Sequence, residues 1–578
     1  MHKDLPTSPV HRLSGVFGTL ASQLPHIGVA GSRSASLHNE GRDVLHHPEQ
    51  TRLSPLDPAH RLRLRLAMFL GTVGAFMIAI GGLGAGAYPV LHNPFWQLPF
   101  VSTLSRMLHA STVMVFLGIG ILVIGWLLMA RFCVSLRRRR VHLVPVSILW
   151  RTFVAWVIPL YVTAPLFTQD IYSYLAQGSI AARGWDPYAA GPVDLLEPDN
   201  PLVRSVPLMW SHSPAPYGPT ALGYGAVISS LTHDSFVAGI LLHRLVSIIG
   251  LALAGWALVR LSRRCGVPSQ TAMWLGVLNP LALLHLVGGI HNEAAMLGLL
   301  LAGLELVLRG VDQVERPIQS CWILLILGLC LITAAGLVKV TALMALGFAA
   351  VAIARWFGGT ITDLIKAGLI SASVAVIVAL VLSLGTGVGL GWITSQGGAT
   401  EIVSWMSFST VLGLASAFLG MNLGLGDHQR VALTVFRSLG VLVGIAWVVR
   451  MLWASFKGRI HPVGGLGLAM FLMVVFFPVV QPWYLLWAIF PLAAWANRDP
   501  FIFIAVAYST LFSFAVLPRG LGLPPATVVY IYVMFVVIFA VVLLAGYFFV
   551  RAHPYLADAI KTGTPLDREA LRRHKKSQ

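Results

Sequence analysis

The sequence predicts an all-α, polytopic membrane protein, and composition and run length are the evidence. Of the 578 residues, 57% are hydrophobic and 11% are charged, and the mean hydropathy is +0.78. Soluble proteins carry about 25% charged residues. Apolar runs of about 20 residues, the length that a helix needs to cross a bilayer, recur between Leu64 and Val550. Because these runs have helical and not barrel-strand length, we expect a bundle of transmembrane helices.

Positive charge dominates the polar part of the chain. The formal net charge is +18, and the cations cluster at the ends of apolar segments. This placement is typical of membrane orientation and of attraction to the anionic head groups of the lipid bilayer, so we expect no nucleic acid partner. The four cysteines lack metal-ligand spacing, and we predict no metal site.

Both ends of the chain are polar. Residues 1–60 are rich in histidine and lack a charged start followed by an apolar core, so they predict a flexible cytoplasmic tail and not a cleaved signal peptide. Residues 551–578 predict a second, basic cytoplasmic tail. Residues 61–550 then form one transmembrane domain.

Lysine and arginine near the span ends indicate the direction of each helix, because cytoplasmic loops are enriched in them. Arg61 precedes the first span, and Arg131 with residues 137–140 follows the second, so the third span runs outward and brings Asp170 to the extracytoplasmic side. The same rule gives about fourteen crossings with both termini cytoplasmic. The predicted spans include those near 65–88, 107–130, 144–167, 236–261, 270–288, 292–309, 319–337, 340–355, 463–479, 483–497, 501–517 and 525–549.

Two weakly apolar segments, 217–232 and 405–425, could cross the membrane or lie at its surface. If 217–232 crossed, the arginines that end the next span, from Arg260 to Arg264, would face outside. Omitting 405–425 likewise places Lys457 inside. We therefore favour surface or re-entrant positions for both.

Asp170 opens the longest polar loop, residues 168–235, which we expect to contain interfacial helices. A carboxylate at the membrane boundary is costly to desolvate and indicates a functional site. It could instead cap a short helix over 171–183, where an acid is favoured, and the two roles are compatible. The proline-rich segment 184–216 is too often interrupted for a long helix.

Further polar and aromatic groups are predicted at the same outer level as Asp170, which suggests one external site. Lys339 could bind phosphate or extend to the head groups, and Arg244 could bind phosphate or pair with an acid of the loop. Glu293 could offset a helix dipole, and the aromatic residues could form an interfacial belt. This outer set contains Tyr217, His291, Asn292, Glu293, Lys339, Gln481, Trp483 and Arg519.

Five stretches carry a family resemblance: 168–177 (TQDIYSYLAQ), 184–188 (GWDPY), 216–219 (PYGP), 291–293 (HNE) and 481–487 (QPWYLLW). Together they resemble the polyprenyl-phosphomannose-dependent α-1,6-mannosyltransferases of mycobacteria and corynebacteria, which are GT-C membrane glycosyltransferases. The likeness spans roughly residues 60–550. Within the family it is closer to the enzyme that initiates the mannan backbone of lipomannan than to the one that extends it.

The resemblance implies a GT-C fold whose first outer loop carries the catalytic acid, and Asp170 matches that acid. An extra helix pair precedes the usual first span. Thr168 stands where many such enzymes have the first acid of a metal-binding pair, so we expect no cofactor and doubt a divalent metal requirement.

The resemblance also implies the substrates. The donor would be polyprenyl phosphomannose, and the acceptor an α-1,6-mannan glycolipid, on the outer face of an integral plasma-membrane protein. Asp170 would deprotonate the acceptor hydroxyl in an inverting displacement, while Lys339 and Arg244 would bind the donor phosphate. The expected substrate-binding residues are Tyr172, Tyr217, His291, Asn292, Glu293, Gln481, Trp483 and Tyr484.

Two other classes of protein are compatible with a polytopic chain. A transporter or flippase of a lipid-linked sugar would have polar residues on both sides of the midplane and broken helices in related halves. A non-catalytic scaffold would tolerate the loss of Asp170. The outward bias of the polar residues favours an enzyme.

Overall fold

The computed structural model describes residues 58–89, 94–97, 100–134, 144–312, 317–395, 403–404, 406–496, 498–520 and 524–552. Within these ranges every regular element is helical, which confirms the all-α prediction. Apart from residues 58–60 and 551–552, the two predicted tails lie outside the described residues, as does the basic run 137–140.

Nine of the described helices are long and apolar enough to cross a membrane, and these confirm the polytopic prediction. They are α1 Pro58–Ala85, α2 Leu108–Cys133, α3 Phe236–Arg264, α4 Glu293–Val311, α5 Ile318–Gly336, α6 Val340–Phe357, α7 Ile361–Gly385, α8 Gln429–Phe456 and α9 Pro525–Phe548.

Helices Ser269–Leu275 and Pro280–Gly288 meet at an angle of 46° and are together long and apolar enough for a tenth, broken span or a re-entrant loop. Shorter apolar helices also occur, and the expected total of about fourteen crossings includes all of them except Phe408–Asn422. They are Val146–Tyr161, Phe408–Asn422, Pro462–Phe476, Pro482–Trp495 and Asp499–Phe512.

The N-terminal helix pair is packed into the rest of the domain. The indole N–H of Trp126 on α2 donates to the carbonyl oxygen of Trp274 at 2.9 Å, and the indole of Trp274 returns the bond to Trp126 at 2.8 Å. The two rings are stacked, with centroids 4.6 Å apart. This reciprocal contact fixes α2 against the first half of the broken span.

The outer loop contains a buried helix where a helix over 171–183 was predicted. Asp170–Ala182 has 13 residues, and its side chains from Ile171 to Ala181 are buried. The segment that follows forms only helices of four or five residues, as its prolines predict: Pro192–Leu195, Pro201–Ser205 and Leu208–Ser211.

The segment near 217–232 forms a helix, Pro219–Thr232, of 14 residues. At 1.5 Å per residue it is about 21 Å long, shorter than the roughly 30 Å hydrocarbon core, as is Asp499–Phe512 with the same 14 residues. The non-crossing position of Pro219–Thr232 stays a prediction from the charge pattern. This helix packs against Asp170–Ala182 at a point where two glycines meet. A Cβ atom on Gly178 would lie 2.7 Å from the carbonyl oxygen of Gly225. This approach holds the Asp170 helix in place.

We predict that Gly178→Leu separates these two helices, because the added side chain has no room beside Gly225. Overpacking of this kind costs about 1–3 kcal/mol. The thermal unfolding midpoint of the purified protein should fall. Gly368→Leu is the matched control, since a Cβ atom there has no neighbour within 4 Å and the midpoint should change little. Equal midpoints for the two variants would contradict the close packing.

Candidate active site

Asp170 is the first residue of its helix, and its side chain is 26% exposed. Its backbone N–H donates to the hydroxyl of Thr168 at 3.1 Å. The nearest titratable neighbour is His291, whose Nδ1 lies 3.7 Å from the carboxylate, beyond hydrogen-bond distance. No hydrogen bond to this carboxylate comes from any residue that the structure describes. The acid therefore occupies a helix N-terminus and remains available to accept a proton.

An irregular stretch, residues 162–169, carries the chain to Asp170 between two other loops. The backbone N–H of Leu166 donates to the carbonyl of Gly288 at 3.0 Å, and that of Phe167 donates to Pro518 at 2.7 Å. Segments far apart in the sequence thus set the position of the acid from both sides.

Arg244 on α3 holds this stretch in place through hydrogen bonds to its backbone. Its buried guanidinium donates to the carbonyl oxygens of Tyr161 at 2.7 Å, Thr163 at 2.6 Å, Ala164 at 3.1 Å and Val287 at 3.1 Å. The side chain is fully buried. The prediction that Arg244 binds phosphate does not fit this geometry, because backbone carbonyls already occupy its donors. It is also not paired with an acid of the loop.

Two residues beside the site have left-handed backbone conformations. Phe167 has φ 68° and Ile290 has φ 57°. Such a conformation costs about 1–3 kcal/mol for a non-glycine residue and is unusual for a β-branched one. Ile290 follows the π-helical turn Leu283–Gly288, a type of turn frequent at functional sites. Ile290 directly precedes His291, whose Nδ1 lies 3.7 Å from Asp170.

Three aromatic rings stack beside the acid. Trp483 stacks on His291, at a centroid distance of 4.0 Å, and on His285, at 4.9 Å, and the two imidazoles are 6.3 Å apart. Burial lowers the pKa of His291, and the positive charge of Lys339 lowers it further. Glu293 and Asp170 raise it, but the net shift is downward, so His291 is neutral at pH 7.

This stack carries unsatisfied polar atoms. The Nε2 of His291, the Nδ1 of His285 and the indole N–H of Trp483 are buried and have no hydrogen-bond partner in the described part of the chain. Buried polar groups are almost always hydrogen-bonded in native proteins, so these atoms indicate where a polar ligand or water can bind.

Lys339 and Glu293 form a close ion pair. The Nζ of Lys339 donates to Glu293 at 2.7 Å, and the two side chains are 20% and 4% exposed. The ammonium also lies over the rings of Tyr484, at 4.3 Å, and Trp487, at 4.8 Å. Burial lowers the pKa of Lys339, but Glu293 raises it more, so the pKa is above its usual value and the lysine stays charged. Lys339 thus has a protein anion as its partner and does not extend to the head groups.

Tyr217 and Asn292 belong to a neighbouring group of tyrosines. The hydroxyl of Tyr217 donates to the hydroxyl of Tyr174 at 3.3 Å, and that of Tyr224 donates to the Asn292 amide oxygen at 2.5 Å. The carbonyl of Tyr217 accepts from Tyr188 at 2.9 Å, which ties the long loop to this group. Burial, followed by Asp170 and Glu293, raises the pKa of Tyr217, so its hydroxyl remains a donor.

One predicted substrate-binding residue is used inside the protein. Tyr172 is fully buried, and its hydroxyl donates to the carbonyl of Ala87 at 2.8 Å. The prediction for Tyr172 therefore does not fit, because its polar atom is used inside the protein. Gln481 precedes the short helix Pro482–Leu485, which presents Trp483 and Tyr484, and its carbonyl accepts the N–H of Tyr484 at 3.0 Å.

Sequence reasoning missed several residues of this region. Tyr174 follows Asp170 by four positions, a helical spacing that places the two on one face. Trp487 lies in the quoted motif 481–487 but was not assigned to the site. His285 and Tyr224 lie within apolar helices, where no sequence signal distinguished them.

Comparisons with known proteins match nearly the whole chain. The family model described as "Alpha-(1->6)-mannopyranosyltransferase, N-terminal domain" matches residues 68–355, and the "MptB C-terminal domain" matches residues 409–544. Alpha-(1->6)-mannopyranosyltransferase B of Corynebacterium glutamicum is 50% identical over 553 residues, which cover 92% of this chain and 92% of that protein. The chain belongs to the alpha-(1->6)-mannopyranosyltransferase family.

Other relatives agree. A probable alpha-(1->6)-mannopyranosyltransferase of Mycolicibacterium smegmatis is 42% identical and covers 79% of this chain and 83% of its own length. Alpha-(1->6)-mannopyranosyltransferase A of Mycobacterium tuberculosis is 35% identical, with coverages of 72% and 78%. The predictions of the family and of a membrane-bound mannosyltransferase are thus confirmed.

Among solved structures, the archaeal oligosaccharyltransferase AglB from Archaeoglobus fulgidus resembles this mannosyltransferase distantly. The two are 12% identical with a TM-score of 0.33, and the match covers 74% of this chain and 54% of that chain. A likeness at this level carries no argument about the site.

We predict that Arg244→Lys destabilises this mannosyltransferase, because lysine lacks the planar fork that reaches four carbonyl oxygens. Each buried carbonyl left without a donor costs about 1–3 kcal/mol. The thermal unfolding midpoint should fall clearly, whereas the matched change Arg183→Lys, at a partly exposed pair with Asp234, should have little effect. If Arg244→Lys keeps the wild-type unfolding midpoint but has a raised KM for the donor, Arg244 binds the donor phosphate after all.

Proposed function

We propose that this mannosyltransferase moves mannose from polyprenyl phosphomannose to an α-1,6-mannan glycolipid, with Asp170 as the general base. The observation that supports this most is the Asp170 carboxylate itself. It is partly exposed, lacks a hydrogen-bond partner among the described residues, and lies beside a neutral histidine in a ring-lined site. A base of this kind can take the proton of an attacking hydroxyl.

A direct displacement needs one carboxylate of this kind. The acceptor hydroxyl attacks the anomeric carbon, its proton passes to Asp170, and the bond to the donor phosphate breaks. A retaining mechanism would need a second carboxylate as nucleophile. We therefore propose inversion, from a β-linked donor to an α-linked product.

The leaving phosphate needs a cation more than a proton, because its second pKa is about 6. Lys339 is our candidate, since its charged ammonium has three N–H donors, of which Glu293 accepts one. Glu293 and the rings of Tyr484 and Trp487 would hold the ammonium in position. Phosphate binding by a preorganised cation is a large part of such catalysis.

The unsatisfied ring nitrogens of His291 and Trp483 would bind sugar hydroxyls. Tyr217 and Asn292 would form the opposite edge of the sugar site. We propose that transfer needs no metal, because the Thr168 hydroxyl, in the place of the first acid of a metal-binding pair, accepts the N–H of Asp170.

The positive charges at the span ends support an extracytoplasmic site and cytoplasmic termini in the plasma membrane. A flippase of a lipid-linked sugar is the alternative, and it would move the donor lipid without forming a glycosidic bond. Whether the enzyme initiates or extends the backbone can be tested with acceptors of increasing length.

Asp170→Asn should abolish transfer, because the amide cannot accept the proton. We expect kcat to fall about 10²–10⁴-fold with little change in donor KM. The measurement is mannosyl transfer by the purified protein to an α-1,6-mannoside glycolipid, with and without EDTA. Asp194→Asn, at the exposed pair with His212 in the same loop, is the control. An active Asp170→Asn enzyme would place the site elsewhere, and inhibition by EDTA would contradict metal independence.

A second prediction separates phosphate binding from structure at Lys339. Lys339→Met leaves Glu293 buried and unpaired, which costs about 3–5 kcal/mol, and it should lower both the unfolding midpoint and activity. The double variant Lys339→Met/Glu293→Gln should regain most of the midpoint, because the uncompensated charge is gone. Its activity should stay low. If the double variant regains activity, the Lys339–Glu293 pair has a structural role and Lys339 does not bind the donor phosphate.

A further inference from the structure

A basic cavity of about 410 Å³ lies between the N-terminal helix pair and the segment before α9. None of its lining residues is acidic. The lining side chains that matter here are Tyr88, Trp96, Ser102, Ser105, Arg106 and Arg519.

The two arginines of this cavity have no protein anion. Neither Arg106 nor Arg519 forms an ion pair or side-chain hydrogen bond with the part of the chain that the structure describes, whereas Arg183, Arg204 and Arg264 each bind a carboxylate. Two positive charges that share a cavity without acidic side chains attract an anion. The planar fork of a guanidinium fits a phosphate, and the Ser102 hydroxyl adds a further donor.

This cavity adjoins the residues that position Asp170. The carbonyl of Tyr88 accepts the side-chain N–H of Gln169 at 3.0 Å. On the other side, Gly520 follows Arg519 and abuts Thr168, since a Cβ atom on Gly520 would lie 2.8 Å from the Thr168 Cα. Contacts from both walls thus reach the two residues before the acid.

We propose that this cavity binds the phosphodiester of the lipid that carries the acceptor mannose. The proposal rests on the proposed function. In an inverting displacement the attacking hydroxyl and the leaving phosphate lie on opposite sides of the anomeric carbon. Asp170 contacts the attacking hydroxyl, so an anion site joined directly to residues 168–169 belongs to the acceptor. Lys339, linked to Asp170 through Glu293 and His291, serves the donor.

The exposed ring of Trp96 fits this assignment. It is 57% exposed at the cavity and lies on the short helix Pro94–Gln97. Tryptophan is favoured at the level of lipid head groups, where a phosphodiester lies. The acceptor would then be anchored by its phosphate while its sugar reaches Asp170.

The test compares Arg106→Gln, Arg519→Gln and the double variant in nanodiscs of zwitterionic phosphatidylcholine. One acceptor carries its α-mannoside on a diacylglycerol phosphodiester, and the other carries the same mannoside on an uncharged dialkylglycerol. The double variant should raise KM for the phosphodiester acceptor by about tenfold or more, the loss expected with one charge-assisted bond. KM for the uncharged acceptor and for the donor should not change. Arg151→Gln, at an exposed arginine on Val146–Tyr161, is the control.

Other outcomes overturn the proposal. A rise in donor KM alone would assign the cavity to the polyprenyl phosphate. An equal rise for both acceptors would indicate a structural effect. If inorganic phosphate or phosphatidylglycerol binds to the cavity as strongly as the phosphodiester acceptor does, the cavity is a general anion site.

A binding measurement separates this proposal from the proposed function. Native mass spectrometry, without donor, would compare retention of the phosphodiester mannolipid by the wild-type protein and by the double variant. Retention by the wild type that the double variant loses supports the cavity, and equal retention overturns it. Absence of mannosyl transfer by the wild type, with this binding intact, contradicts the proposed function alone.

Discussion

The site depends on the buried guanidinium of Arg244. A charge without water must be surrounded by acceptors, and here four backbone carbonyls provide them. Three come from residues 161–164, which lead to Asp170, and one comes from Val287, which leads to His291. The same cation therefore sets the distance between the acid and the histidine. Displacing either segment would leave a buried charge short of acceptors.

The other titratable groups of the candidate site are paired or neutral. Lys339 and Glu293 compensate each other, and the pKa of His291 is lowered by burial, so this ring is neutral at pH 7. The neutral aromatic stack beside Asp170 offers flat faces and unpaired N–H and N groups, which suit a sugar ring.

The sequence was sufficient for the fold class, because apolar run length is a local property. An acid at a span end is equally local, which is why the sequence singles out Asp170, and its catalytic role stays a prediction. The sequence also placed Glu293 and Lys339 at one level, yet their pairing depends on helix packing that one sequence does not reveal. Arg244 and Tyr172 had the right chemistry for ligands, but their donors bind carbonyls of residues between 43 and 85 positions away. His285 was missed because its neighbours are apolar and its ring partner, Trp483, is distant in the chain.

The bond from Phe167 to Pro518 has a consequence for biosynthesis. The stretch that leads to Asp170 is completed by a carbonyl from a loop near the C-terminal end. During translation, the first part of the site enters the membrane long before that loop leaves the ribosome. A nascent chain therefore carries the acid without its final support, and the enzyme becomes competent only when the last helices have been inserted.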